Sequence, residues 1–235
     1  DDLDHLLDET TEKWLPSGKA VVSPEARAEL LERYAKEAQG SLRRPSCVRV
    51  WGSLSSFSLP DEPVTNPVWQ ARYGTKTRPA HSLELFRREQ MALTAHARAA
   101  GCRLIVNCGP KPNYDKSYGP GAFRTRLQIL ARFLRSLARD NPTQVAVIRS
   151  ETPSLWMSVG DWFAATSYAA RPVEGVLHTV FTSHATTIRN QNAEFDGELN
   201  RLLTSAGIPP EQSRDAAIAE LDAIIDTKPK HPAWP

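Results

Sequence analysis

The stretch Arg103-Leu104-Ile105-Val106-Asn107 is a continuous apolar run with a polar residue at each end. Buried parallel strands have this composition because helices cover both faces of the sheet that they form. Similar runs occur earlier and later in the chain, at 47–51 and 144–149. The three runs predict neighbouring strands of a mainly parallel central sheet.

Helical patterns separate these strands. The clearest runs from Phe123 to Leu137, where apolar residues recur at intervals of four, three, four and three. A further strand is predicted over 175–181. Alternating strands and helices are typical of an α/β fold with right-handed crossovers. Capping residues and apolar periodicity together predict five helices, at about 24–39, from Ser82 to Gly101, and at 121–139, 193–205 and 210–226.

Composition indicates one folded domain over residues 1–235, with 1–22 and 227–235 extended or loosely attached. Lysine and arginine number 29 against 27 acidic residues, a net charge of +2 that argues against a dedicated nucleic-acid binder. The arginines of 121–139 are interpreted as a solvated helix face. No apolar run approaches the roughly 20 residues of a membrane span. Neither a metal-ligand spacing nor a phosphate-binding loop occurs, so no metal or cofactor is predicted.

Polar residues follow each of the three predicted strands. These strand ends are 52–55, 107–109 and 149–153. Ligands of doubly wound sheets bind at the carboxyl ends of the strands, because loops converge there and helix N-termini point towards the crevice. A serine, glycine and asparagine donors and a late Asp/His pair would supply the parts of an acyl hydrolase or transferase.

Ser53 is the candidate nucleophile, and the backbone near Gly52 is a candidate oxyanion donor. The base is either His231 or His184, and the sequence leaves this choice open. Asp226 would orient the histidine. The alternative for Ser53 is backbone hydrogen bonding in a turn of small residues.

Asn107 and Gly109 are the other candidate oxyanion donors, although Asn107 can instead cap a turn. Arg149 is expected at the end of a buried strand, where an unpaired charge is costly. It therefore needs an anionic ligand or an ion pair with Glu151 or Asp161. Tryptophans that line the crevice would stack on sugar rings, although anchoring in the core or in loops is the more common role of tryptophan; the candidates are Trp51, Trp69, Trp156 and Trp162.

The segments 104–109, 145–153 and 160–162 resemble, in their order, the distal half of the PC-esterase and trichome-birefringence-like family. The resemblance spans about 60 residues, from 104 to 162. It implies a three-layer SGNH-like, flavodoxin-like α/β fold and O-acyl transfer or hydrolysis. It also implies a glycan or glycoprotein partner and a location in the secretory pathway or outside the cell.

The chain departs from that family at its catalytic motifs. The family's Gly-Asp-Ser corresponds here to Gly52-Ser53, without the acidic residue, and its Asp-x-x-His corresponds to a longer spacing between Asp226 and His231. Two hypotheses follow: an acyl esterase or acyltransferase acting on carbohydrate, and a pseudoenzyme that binds glycan or serves as a structural component of a larger protein assembly. A glycosyltransferase-like domain is a third hypothesis, but it commonly needs an acidic metal-binding pair, and no convincing pair occurs.

Overall fold

The computed structural model describes residues 13–14, 19–21, 28–29, 31–33, 35–36, 47–53, 88, 91–109, 121–149, 156–160, 163–169, 177–182 and 184–226. Every structural statement below concerns this part of the chain. It forms a mixed α/β fold built on one eight-stranded sheet.

The strands follow the order β1-β2-β8-β7-β6-β3-β4-β5 across the sheet. Two of them, β1 and β2, come from the range 1–22, and antiparallel pairing of β2 with β8 joins them to the sheet. The strand bounds are β1 Lys13–Trp14, β2 Lys19–Val21, β3 Val48–Ser53, β4 Cys102–Asn107, β5 Thr143–Ile148, β6 Trp156–Val159, β7 Phe163–Ala169 and β8 Leu177–Thr182.

The expectation of a mainly parallel sheet holds only for β3, β4 and β5, which pair in parallel as the three apolar runs predict. Every other pairing among the described strands is antiparallel. Beyond β5 the chain crosses to the other side of β3 and continues as β6, β7 and β8. Gly160 has a positive φ of 57° in the short connection between β6 and β7, and such short connections join antiparallel strands.

Five helical segments can be traced among the described residues and accompany the sheet. Helix α4 begins eight residues before its predicted start, because the ring of His184 caps its first turn. No helix among the described residues is long and apolar enough to cross a bilayer. The helical residues are 28–29, 31–33 and 35–36 in α1, 88 and 91–100 in α2, Ala122–Ser136 in α3, Ala185–Ser205 in α4 and Ser213–Asp226 in α5, which follows the short 3₁₀ helix Pro210–Gln212.

Helices pack against both faces of β4, which explains its continuous apolar sequence. Leu104 and Val106 belong to a core cluster with residues of α1, α2, α3 and α5. Ile105, between them in the strand, packs with Leu199 and Leu203 of α4 in a second cluster. Because alternate residues of a strand face opposite ways, α4 covers one face of this strand and the other helices cover the opposite face.

Candidate functional site

Three strand ends meet at one edge of the sheet, called here the carboxyl edge. Ser53 pairs in register with Asn107, and Asn107 pairs with Ile148, the residue before Arg149. Adjacent strands lie about 4.8 Å apart, so the backbones of these three positions lie within about 10 Å. Gly52 pairs with Val106 inside β3, and so Gly52 and Ser53 end the strand instead of forming the predicted turn.

Asn107 closes a local turn at this edge. The backbone N–H of Gly109 donates to Asn107 Oδ1 over 2.9 Å, and the Asn107 side chain is buried. The Gly109 N–H is therefore directed at Asn107 and is not available as an oxyanion donor while this turn is closed. The same hydrogen bond fixes the orientation of the Asn107 amide, whose Nδ2 is the donor atom of that group.

Arg149 is not buried as the sequence suggested. Its side chain is 66% exposed and lies 3.9 Å from the carboxylate of Glu220 on α5. The expected partners, Glu151 and Asp161, lie outside the described residues. An exposed guanidinium at the carboxyl edge is accessible to an anionic group of a ligand without the desolvation cost of a buried charge.

Asp226 is the last residue of α5, and this end of the helix lies towards the carboxyl edge. At the start of the helix, the hydroxyl of Ser213 accepts a hydrogen bond from the first half of β5. Further along the helix, Glu220 approaches Arg149, which follows the last residue of the same strand. Helix and strand therefore run in the same direction, and the side chain of Asp226 is exposed. His231, its predicted partner, lies outside the described residues.

His184 lies at the opposite edge of the sheet. It follows Thr182, which pairs with Ala164, and the register continues through Ser158 of β6 to Arg49, the second residue of β3. Ser53 lies four residues further along β3, about 13 Å away along that strand, and β8 is three strands away from β3 across the sheet. His184 is therefore wrong as a base for Ser53, since a general base must lie within hydrogen-bonding reach.

Two tryptophans of the predicted sugar-stacking set lie next to the carboxyl edge. Trp51 and Trp156 pair in register across β3 and β6, two residues before Ser53. The Trp156 ring packs on Phe195 of α4 with a centroid separation of 5.2 Å. Trp69 and Trp162 lie outside the described residues.

An ionic cluster beneath α4 was missed by the sequence reasoning. Asp196 forms salt bridges with Arg49 of β3 and Arg103 of β4. Burial raises the pKa of Asp196, but hydrogen bonds from both arginines outweigh burial and hold that pKa below its usual range. The signal was an arginine at the second position of each of two strands, in otherwise apolar runs. This cluster lies in the half of the sheet away from the carboxyl edge.

A cysteine beside the candidate site is chemically inert. Cys108 follows Asn107, and burial, with a smaller contribution from Glu220, raises the pKa of its thiol to about 12. The neutral thiol that dominates at pH 7 is a poor nucleophile. Cys47, Cys102 and Cys108 are all free in the structure. No group of three or more potential metal ligands occurs among the described residues.

Comparison with known proteins adds no family assignment. No protein-family model matches the chain, and no curated protein sequence matches it.

Proposed function

We propose that this domain acts on acylated carbohydrate as an O-acyl esterase or acyltransferase, with Ser53 as its nucleophile. The observation that carries the proposal is the register of Ser53, Asn107 and Ile148, which brings the ends of three parallel strands together. Helices on both faces of β4 are compatible with a three-layer SGNH-like arrangement, which forms part of the proposal. Strand ends of this kind are where α/β domains bind their ligands.

In the proposed reaction, Ser53 Oγ attacks the carbonyl carbon of a sugar ester. His231 takes the hydroxyl proton, and Asp226 orients the imidazole. The amide Nδ2 of Asn107 donates to the oxyanion, and its orientation is supported by the hydrogen bond from Gly109. Collapse of the intermediate releases the sugar hydroxyl, which receives the proton from His231. Water, or a hydroxyl of a second sugar, then takes the acyl group from Ser53.

The test combines ester hydrolysis with covalent labelling. The purified protein is expected to hydrolyse p-nitrophenyl acetate and to react with a fluorophosphonate at Ser53. Ser53→Ala should abolish labelling and reduce turnover by at least a hundredfold, since the covalent step is lost. Ser55→Ala, two residues further along the sequence, is the matched control and should retain both. A folded wild-type protein that neither hydrolyses the ester nor reacts with the probe would refute the enzymatic proposal.

The second candidate is a catalytically degenerate domain that binds glycan or serves within a larger assembly. Two structural observations favour it. His184 lies at the edge of the sheet opposite the carboxyl edge, and the Gly109 N–H donates to Asn107 Oδ1. The missing acidic residue between Gly52 and Ser53 points the same way. Binding of acetylated sugars without turnover, unchanged in Ser53→Ala, would establish this function instead.

A further inference from the structure

The indole of Trp156 has a buried donor atom next to the carboxyl edge. Within the part of the chain that the structure describes, no acceptor lies within hydrogen-bonding distance of its Nε1. Trp156 is the first residue of β6 and stands opposite Trp51, two residues before Ser53. Ser53 lies about 7 Å further along β3 than Trp51, and β6 lies about 4.8 Å to the side of β3, so the backbones of Trp156 and Ser53 are about 8–9 Å apart.

A buried N–H without an acceptor is unusual in a native protein. It costs about 1–3 kcal/mol, because water that would otherwise bind the group has been removed. The rest of the ring is well accommodated, since it packs on Phe195 and against the second core cluster. The indole N–H is a donor only, so any molecule that satisfies it must bring an acceptor. A tryptophan that has its ring held by the core and a donor without an acceptor near the ends of the parallel strands is suited to a sugar, which is rich in acceptor oxygens.

We propose that Trp156 is a ligand-binding residue whose Nε1–H donates to an oxygen of the acylated sugar. The inference rests on the proposed function and deepens it, because it assigns a polar contact that holds the ligand beside Ser53. Phe195 of α4 packs against the indole, which fixes the ring before the ligand arrives. Pre-organisation of this kind lowers the entropic cost of binding.

Nuclear magnetic resonance of indole N–H groups tests the proposal directly. The chain contains six tryptophans, so ¹⁵N-labelled protein gives up to six indole signals. The signal missing in Trp156→Phe identifies Trp156, and sequential assignment of the wild type does so if that variant fails to fold. The probes are mono-acetylated methyl glucoside and methyl xyloside, together with their deacetylated parents. Titration is expected to move the Trp156 signal downfield, as a new hydrogen bond requires.

Affinity measurements supply the matched comparison. Trp156→Phe keeps an aromatic ring on Phe195 but has no donor, and it should bind the acetylated probe about tenfold more weakly. In Trp51→Phe, which removes the neighbouring indole N–H, the Trp156 signal should still shift. A shift with acetylated probes alone would assign the bonded oxygen to the acyl group, and a shift with both kinds of probe would assign it to the sugar. Either result supports the proposal.

The outcomes separate this inference from the proposed enzyme. If the protein hydrolyses esters but no probe moves the Trp156 signal, the role of Trp156 is refuted and the enzyme stands. If the signal shifts and Trp156→Phe weakens binding without any hydrolysis, the ligand contact stands and the enzyme falls. If Trp156→Phe lowers stability and leaves affinity unchanged, the indole is structural and the inference is wrong.

Discussion

Asp196 on α4 receives the guanidinium of Arg49 on β3 through two parallel hydrogen bonds, each 2.9 Å long. Arg103 of the neighbouring strand contacts the same carboxylate at 2.5 Å. The Arg49 side chain is only 10% exposed and that of Asp196 is 24% exposed. Removing one partner of a bidentate pair that is mostly shielded from water costs more than breaking an exposed pair, because the other charge is left uncompensated, so this contact holds α4 on two strands of the sheet.

Asp196→Asn should therefore destabilise the protein substantially. The variant keeps the side-chain shape but leaves two arginines without their carboxylate. We expect a loss of about 3 kcal/mol in the free energy of unfolding, above the ~1 kcal/mol of exposed pairs and at the lower end of buried ones. Urea denaturation measures it. The matched control is Glu198→Gln, because Glu198 pairs with Arg201 on the exposed side of the same helix and should lose under ~1 kcal/mol. Equal losses in the two variants would contradict this account.

The same carboxylate makes stability dependent on acid. Its pKa is lower in the folded protein than the value of about 3.9 in the unfolded chain. A depressed pKa stabilises the fold at pH values above the unfolded-state pKa, and this contribution is lost as the pH falls through the folded-state value. The stability difference between wild type and Asp196→Asn should accordingly be full at pH 7 and shrink below about pH 4. Urea denaturation of both proteins at pH 7 and below about pH 4 provides the measurement. A stability difference that is the same at the two pH values would show that the charge of Asp196 is not its source.

The parallel part of the sheet could be predicted from sequence because each of its strands is a short apolar run. The strands β6 and β7 could not, since β7 is Phe-Ala-Ala-Thr-Ser-Tyr-Ala and its small residues carry little strand propensity. Their place in the sheet depends on pairing with β3, a long-range contact that local patterns do not contain.

The difference between local sequence patterns and long-range strand pairing also explains which site residues could be placed from the sequence. The strand ends at Ser53 and Asn107 were predicted to meet because parallel neighbours share a direction. His184 was misplaced because the direction of β8 is set by its antiparallel pairing with β7. The turn between Asn107 and Gly109 is one of the two uses that the sequence allows for the asparagine, and in the structure this turn engages the Oδ1 atom of the amide.

Gly101 should tolerate no side chain. Its φ of 84° lies in the left-handed region, and an added Cβ would come within 2.5 Å of the carbonyl oxygen of Pro142. Gly101→Ala is expected to lose about 2–4 kcal/mol through backbone strain and overpacking. Gly197→Ala is the matched control: nothing lies within 4 Å of its added Cβ in the middle of α4, and it should gain about 0.5–1 kcal/mol from helix propensity. Thermal unfolding distinguishes the two variants. An unchanged melting temperature in Gly101→Ala would mean that the backbone before β4 does not adopt this left-handed conformation against Pro142.

Ser213 should contribute to stability through hydrogen bonds beside β5, the outermost strand of the sheet. Its buried hydroxyl accepts from the N–H of Val145 on the terminal strand β5 over 3.3 Å and donates to the carbonyl of Pro210 over 2.6 Å. Ser213→Ala leaves both backbone groups without this partner, so a loss of about 1–3 kcal/mol is expected. Ser205→Ala, at the exposed end of α4, should change stability by less than ~0.5 kcal/mol. Hydrogen exchange at the Val145 amide gives a local readout, and protection equal to the wild type would rule out the contact.

The cysteines should be almost unreactive while the protein is folded. Burial raises the pKa of Cys102 and of Cys108 to about 12, and burial also raises that of Cys47. Alkylation needs the thiolate, whose fraction at pH 8 is then far below that of a free cysteine. Iodoacetamide should therefore alkylate Cys102 and Cys108 negligibly over an hour in the native protein. In denaturant, all three thiols should react. Mass spectrometry of the intact protein counts the adducts, and rapid native labelling of Cys108 would show that the strand end beside Asn107 is open to solvent.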